Sequence, residues 1–390
     1  MPSFLDSAQA AERLGISLQT LYAYVSRGLI RPHSVDAGTR KSRYLEDDVE
    51  RLSRRNRRSR KPKEAARAAL DWGMPVLESA ITLIESGRLY YRGIDACQLA
   101  RQHSVEQVAA LLWQFPEATA FTDRDPALPT AMVPDRAARH CEHRLLPLFA
   151  LASDDAATAI WQTAPQRTAE GCASLLRVLA ACLLGATPRT TPIHRQCAQA
   201  WQLDETGADL VRMALVLCAD HELNASSFTA RCVASTGASV RSAVIAGLAA
   251  LSGGRHGGTT ARVEALWDET GADPARRLRA RLARGEDLPG FGHPLYPGGD
   301  VRASMLLERI LPAHDSWRSL AAAAGELTGQ PPSLDFALVA LRRHLGLPPG
   351  SAFGLFALGR ASGWIAHALE QRGSATPIRP RAAYTGARPV

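Results

Sequence analysis

From about residue 70 onward the chain is one apolar helical pattern after another, Ala- and Leu-rich segments cut by Gly, Pro and Asp. Apolar residues recurring every three or four positions suit helices that bury one face. In "ASVRSAVIAGLAALSGGRHGGTT", Val240, Val244, Leu248 and Leu251 keep that spacing until a glycine pair stops it. The exception is "AITLIESGRLYYRG", where alternating runs flank Glu85-Ser86-Gly87 and predict a small β-hairpin. The body is therefore expected to be mainly α. Its longest apolar runs fall short of the roughly 18 residues of a membrane span, and "LLRVLAACLLGA" carries Arg177. The first residues, "MPSFLDSAQAAERLG", contain acids and no apolar signal core. Seven cysteines without a C-x-x-C pair suit reduced thiols better than disulfides or structural zinc. A cytoplasmic chain of two or three domains, with no membrane partner, is the expectation.

Charge separates a front segment from this body. Residues 1–67 hold 15 Lys/Arg against 8 Asp/Glu, whereas the 323 residues behind them hold 31 against 30. Nearly all of the formal +8 thus sits in one small segment, which suits an anionic polymer partner. "DSAQAAERLGISLQTLYAYVSRGLI" predicts two short helices, the first capped by Asp6 or Ser7 with Ala8, Ala11 and Leu14 inward. Gly15 ends it, Ser17 caps the second, and Leu21, Tyr24 and Val25 continue the core side. A short basic wing and a third helix follow. The segment 1–55 resembles a winged helix-turn-helix of the MerR/excisionase type, and residues 56–70, dense in arginine, form the basic linker. The resemblance implies DNA binding, with Gln19, Thr20 and Tyr22 at a major groove and Arg27, Arg40, Lys41 and Arg43 near phosphates. A helical protein-docking module with merely solvated charge is the alternative.

In the body, several polar residues stand where a helical core does not want them. An apolar helix runs to Asp220-His221-Glu222, and His256 lies between two glycine pairs, with Thr259 placed to cap the next helix. "LPGFGHPLYPGGDVRAS" sets His293 in a Gly/Pro-rich loop nine residues before Arg302. Asp335 falls in the first turn of an apolar helix, and Arg360 stands four residues from both Phe356 and Trp364. Buried arginine generally pairs with an anion. Each feature alone also fits a helix-end histidine or a first-turn acid favoured by the helix dipole. The "HE" at 221 lacks the second histidine of H-E-x-x-H, so no metal is expected.

In order, "DHELNASSFTARCVAST", "GGRHGG", "PGFGHPLYPGGDVRA", "SLDFALVAL", "GRASGWIAHALEQ" and "RPRAAYTG" resemble successive blocks of the citrate synthase family, from about residue 72 to 386. The resemblance implies a two-domain helical homodimer whose cleft closes on substrate. It assigns 71–257 and 347–390 to a large domain and 258–346 to a small one. His221, His293, Arg302 and Arg360 would hold oxaloacetate, with Arg379 reaching into the partner subunit's site. His256 and Asp335 would flank the acyl group of acetyl-CoA. Pro289, Gly290 and Gly292 would bring main chain to the CoA adenine. CoA thioesters enter as co-substrates, with no permanently bound cofactor.

The expected reaction joins acetyl-CoA, or propionyl-CoA, to oxaloacetate and releases CoA with citrate or 2-methylcitrate. Asp335 is the base, neutral His256 steadies the enolate, and His293 polarises the ketone. One methylene discriminates weakly in an apolar pocket, so the acyl group stays open. Two alternatives remain: a DNA-binding regulator whose synthase-like body senses a metabolite, and a related enzyme, such as one cleaving citryl-CoA.

Overall fold

The computed structural model describes residues 4–14, 18, 21–22, 25, 30, 32–33, 42–46, 48–49, 77–126, 141–271, 273–374, 376–382 and 384–387. The chain divides into two compact units, residues 79–380 and residues 1–78 with 381–390.

In the front unit, strand Phe4–Asp6 leads directly into helix Ser7–Leu14. Asp6 caps that helix: Gln9 donates its amide hydrogen to Oδ1 at 2.8 Å and accepts from the Asp6 amide at 3.0 Å. Ala10, Ala11 and Leu14 are buried with Leu21, Ile30, Tyr44 and Val49. Ala8, expected on that face, is exposed. At 100° per residue positions 10, 11 and 14 share one side, and Ala8 falls outside it. Strands Pro32–His33 and Arg43–Leu45 pair antiparallel as the wing, and Phe4–Asp6 adds to the far side of Arg43–Leu45. That N-terminal strand is too short to show alternation in the sequence. Of the residues expected to contact DNA, Tyr22 and Arg43 are exposed. Gln19, Thr20, Arg27, Arg40 and Lys41, and the linker 56–70, lie outside the described residues.

The large unit is helical apart from a three-stranded antiparallel sheet. Thr82–Glu85 and Arg88–Tyr91 form the expected hairpin, with Ser86 and Gly87 both at positive φ (53° and 73°). That is the two-residue turn whose twist matches paired strands. Ile94–Asp95 adds a short third strand. Tyr91, fully buried, sets its hydroxyl 3.1–3.3 Å from the carbonyls of Val216, Leu217 and Asp220. The hairpin thereby anchors the chain just before His221.

Helix Ser351–Arg372 is buried along almost its whole length, from Ser351 to Ala368. Its glycines permit the closest approaches in the core. A Cβ at Gly359 would lie 2.5 Å from the Leu215 carbonyl, and one at Gly363 would lie 2.3 Å from Asp220 Oδ1. Only glycine lets this helix lie directly against the 215–220 backbone.

Candidate active site

The apolar helix expected to run to residue 222 is Glu205–Leu217, and the chain leaves it at Cys218. Asn224 then starts the next helix, Ala225–Ser235, as its N-cap, accepting the amides of Ser226 and Ser227 at 3.1 Å each. Glu222 takes φ +51° to make the turn. His221 therefore stands on a buried loop between two helix ends, 6% exposed.

Facing it is the loop 288–300. The His221 and His293 rings lie 5.0 Å apart, edge to face. Tyr296 completes the group, its hydroxyl 3.0 Å from His221 Nε2 and its ring 5.1 Å from that of His293. Behind it, Arg302 donates Nε to Asp300 Oδ1 (2.9 Å) and Nη2 to Oδ2 (2.8 Å), both side chains nearly sealed from solvent. Burial works against the Asp300 carboxylate, but the guanidinium outweighs it and holds the pKa below the ordinary value. The Leu295 amide donates to His293 Nδ1 at 3.2 Å, which leaves the proton of neutral His293 on Nε2. Burial, then Arg302, depresses His293 to about 4, and burial with Arg302 and Arg360 drives His221 well below its ordinary value.

His256 follows helix Val240–Leu251 in a tight turn. Thr259 is the first residue of helix Thr259–Thr270 and not its cap; Gly258 holds the capping position at φ −61° and ψ −9°. The Gly258 amide points back to the carbonyls of Leu251 (3.3 Å) and Gly253 (3.2 Å), a winding too tight for an extended cap. His256 Nε2 lies 2.9 Å from Ser226 Oγ, which also accepts from Trp364 Nε1 at 3.0 Å. The Phe356 ring stands edge-on to His256 at 6.0 Å and 4.9 Å from the Arg360 guanidinium carbon. Burial lowers His256 to about 4, so it is neutral at neutral pH. Arg360 is 1% exposed and donates Nε to the Cys218 carbonyl at 2.8 Å, with Asp220 the largest electrostatic influence favouring its charge.

Asp335 sits in the first turn of helix Leu334–His344, half-buried, with Oδ1 enclosed and without a hydrogen-bond partner. Burial raises it to about 6, with Arg302 opposing. The segment before it is zipped to the glycine loop: Gly292 donates to the Pro331 carbonyl and Ser333 to the Gly290 carbonyl, each at 2.8 Å. Gly290 (φ +88°) and Gly292 (φ +76°) adopt the backbone this pairing requires. Pro289 and Gly290 are buried, and Gly292 is partly exposed.

His221 thus lies in one electrostatic neighbourhood with His256, His293, Arg302 and Arg360, and Arg302 also acts on Asp335. Arg379 is exposed, in the tail beyond the last helix. Sequence reasoning missed Ser226, Tyr296 and Asp300. Asp300 had a faint signal, a carboxylate two residues before an arginine; the other two had none. Among the described residues no group of three or more His, Cys, Asp or Glu could hold a metal ion, and no helix is long and apolar enough to cross a membrane.

Comparison with known proteins shows the family. Residues 69–381 match the profile of the family described as citrate synthase, C-terminal domain, and residues 4–57 match a helix-turn-helix domain. A citrate synthase of Haloferax volcanii is 32% identical over 358 residues, covering 80% of this chain and 94% of its own. A 2-methylcitrate synthase of Mycobacterium tuberculosis is 32% identical over 356 residues, covering 80% and 89%. The crystal structure of Thermotoga maritima citrate synthase superposes with a TM-score of 0.68 at 25% identity, over 82% of this chain and 95% of that one. A ternary complex of carboxymethyl coenzyme A and oxaloacetate with citrate synthase from Thermoplasma acidophilum shares the fold, with a TM-score of 0.69 at 21% identity, covering 81% and 95%. The chain belongs to the citrate synthase family. It is an enzyme of that class, carrying a helix-turn-helix segment ahead of a mainly helical body.

Proposed function

We propose that the protein condenses acetyl-CoA or propionyl-CoA with oxaloacetate, giving citrate or 2-methylcitrate and free CoA. One observation carries the reading: two neutral histidines, His221 and His293, face each other 5.0 Å apart beside buried arginines, next to a helix whose first-turn acid has an unpartnered oxygen. Relatives named for both products, and the ternary complex of the Thermoplasma enzyme, support it.

The keto diacid is a dianion. Arg360, buried without a carboxylate in hydrogen-bond contact, and Arg302 suit its two carboxylates. His293, protonated on Nε2, donates to the ketone oxygen. Asp335 removes a proton from the acyl carbon next to the thioester. Its raised pKa makes it a stronger base than an ordinary carboxylate while it stays largely ionised at pH 7. The enolate oxygen needs a donor that does not itself carry charge, and neutral His256 fits. The Ser226 hydroxyl has one proton and two acceptors within reach, Asn224 Oδ1 at 2.7 Å and His256 Nε2 at 2.9 Å; when it turns that proton to His256, the imidazole proton resides on Nδ1 and is free to donate.

The enolate carbon then bonds to the ketone carbon. The ketone oxygen takes the His293 proton and becomes a hydroxyl, and the proton that Asp335 took from the acyl carbon is returned to the imidazole, so both groups regain their starting states. Water cleaves the resulting thioester, so that the thiol of CoA leaves with one of its protons, the product keeps a third carboxylate, and the other proton passes to solvent. Closure of the small domain, 258–346, on the large one would keep water from the carbanion before that step. Arg379 is assigned to the partner subunit's site in a homodimer. Pro289, Gly290 and Gly292 are assigned to the CoA adenine, with Gly292 the most accessible of the three.

The test is release of free thiol from acetyl-CoA and propionyl-CoA in the presence of oxaloacetate. The reading requires oxaloacetate-dependent thiol from at least one; none from either would exclude it and leave the metabolite-sensor reading of the helix-turn-helix protein.

A further inference from the structure

We propose that Tyr296 is a positioning residue that fixes the tautomer of His221, so that the imidazole presents its Nδ1–H to the substrate. The inference rests on the reading of His221 as an oxaloacetate-binding residue, and it adds a part that no sequence block singled out.

The Tyr296 side chain is 1% exposed, and its backbone is held by a run of turns: its amide donates to the His293 carbonyl and its carbonyl accepts from Gly299, both at 2.9 Å. Among the described residues the hydroxyl meets one hydrogen-bonding group, His221 Nε2 at 3.0 Å. The Arg302 guanidinium carbon stands 5.3 Å over the ring, so the phenol is clamped between a cation and two imidazoles. Burial pushes its pKa up to about 12, and His221 is held neutral by burial and the neighbouring arginines.

A neutral imidazole carries one N–H, and its two tautomers differ little in energy in water. Here the choice has consequences. A carboxylate only accepts hydrogen bonds, so it needs a proton on whichever edge of His221 it meets. A neutral phenol has one proton, and among the described residues that proton has a single acceptor, Nε2. Donation from Tyr296 to Nε2 therefore places the imidazole proton on Nδ1. The opposite tautomer would leave the hydroxyl proton without a partner and turn a lone pair toward the carboxylate, an arrangement the low-dielectric site penalises strongly. His293 is fixed in the same way, but on the other nitrogen, by the Leu295 amide. The two histidines thus offer donors of defined identity before substrate arrives, which removes reorganisation from the binding step.

The test uses the full-length protein labelled with nitrogen-15 at histidine, with two-bond proton–nitrogen correlation spectra and His221 assigned from its absence in His221→Gln. Expected in the unsubstituted protein is a His221 signal of the Nδ1–H form. In Tyr296→Phe, which keeps the ring and deletes the hydroxyl, that signal should move to the Nε2–H form or a mixture. In steady-state kinetics the same variant should show a KM for oxaloacetate about tenfold higher, with KM for the acyl-CoA within twofold and kcat within threefold. A structural defect would instead move all three together. An Nε2–H signal in the unsubstituted protein, or an unchanged tautomer in Tyr296→Phe, overturns the proposal. An Nδ1–H signal that Tyr296→Phe abolishes, in a protein that releases no thiol, would uphold the lock and refute the synthase reading, so the two fail separately.

Discussion

The Asp300 carboxylate accepts the amide hydrogen of Leu334 at 3.1 Å, although the two residues are 34 apart in the chain. The same carboxylate holds Arg302 at both oxygens. One buried acid therefore joins the arginine assigned to the keto diacid to the first turn of the helix that carries Asp335. The amide of a first-turn residue has no partner within its own helix, so Asp300 satisfies an otherwise orphaned donor as it orients a cation. The proposed base and the proposed binding cation are placed by one group.

Replacing that group should be severe. In Asp300→Asn, Arg302 stays buried and loses its counter-charge, and removing one member of a buried ion pair costs about 3–5 kcal/mol. Chemical denaturation should show a loss of that order, and KM for oxaloacetate should rise at least tenfold as Arg302 loses its orientation. A variant of unchanged stability would mean that solvent reaches Arg302.

Asp335 sets activity and stability against each other. Its pKa is raised to about 6, so the folded protein binds the proton more tightly than the unfolded chain does. This group's contribution to stability is full below about pH 4 and falls as pH rises through about 6. At pH 7 the ionised carboxylate carries a penalty on the order of 3 kcal/mol. Asp335→Asn should therefore abolish thiol release while raising Tm at pH 7.5, with the stability gain vanishing as pH is lowered toward 4. Oxaloacetate binding, measured by calorimetry, should persist. Turnover in this variant would show that another residue is the base.

The same shift predicts the pH profile. With Asp335 required as the carboxylate, kcat/KM should climb about tenfold per pH unit below 6 and level off above it. His256 and His293, both near 4, should add no limb between pH 6 and 8. A flat rate from pH 5 to 7 would be incompatible with this assignment.

Much of this arrangement is legible in the sequence, and what is not has a common cause. The helices and the hairpin show because their periodicity is local: Val240, Val244, Leu248 and Leu251 are all buried, as the spacing requires. Asp335 and Arg360 show because a charge on an apolar helix stands out against its neighbours. Ser226 and Tyr296 look like ordinary polar residues, and they matter because of atoms that arrive from 30 and 75 residues away. Thr259 misleads because capping rules describe an isolated helix, whereas here the Gly253–Gly258 turn winds straight into the next one. The positive φ angles at Gly290 and Gly292 serve the pairing with residues 331–333, a partner that composition cannot reveal.

The front unit makes a separate prediction. Its positive excess is confined to residues 1–67, and Tyr22 and Arg43 are exposed on a helix-turn-helix frame with a paired wing. If this face contacts DNA phosphates, affinity must fall steeply with salt, since each neutralised phosphate releases a condensed counterion. A gel shift with the protein's own upstream DNA should show retardation at about 50 mM salt that weakens by orders of magnitude by about 200 mM. Removing one phosphate contact, as in Arg43→Ala, should reduce the slope of log K against log salt by about one. The substitution should leave thiol release unchanged, since Arg43 belongs to a compact unit separate from the one carrying His221, His256, His293 and Asp335. No retardation at the lower salt would instead assign this basic unit to protein docking.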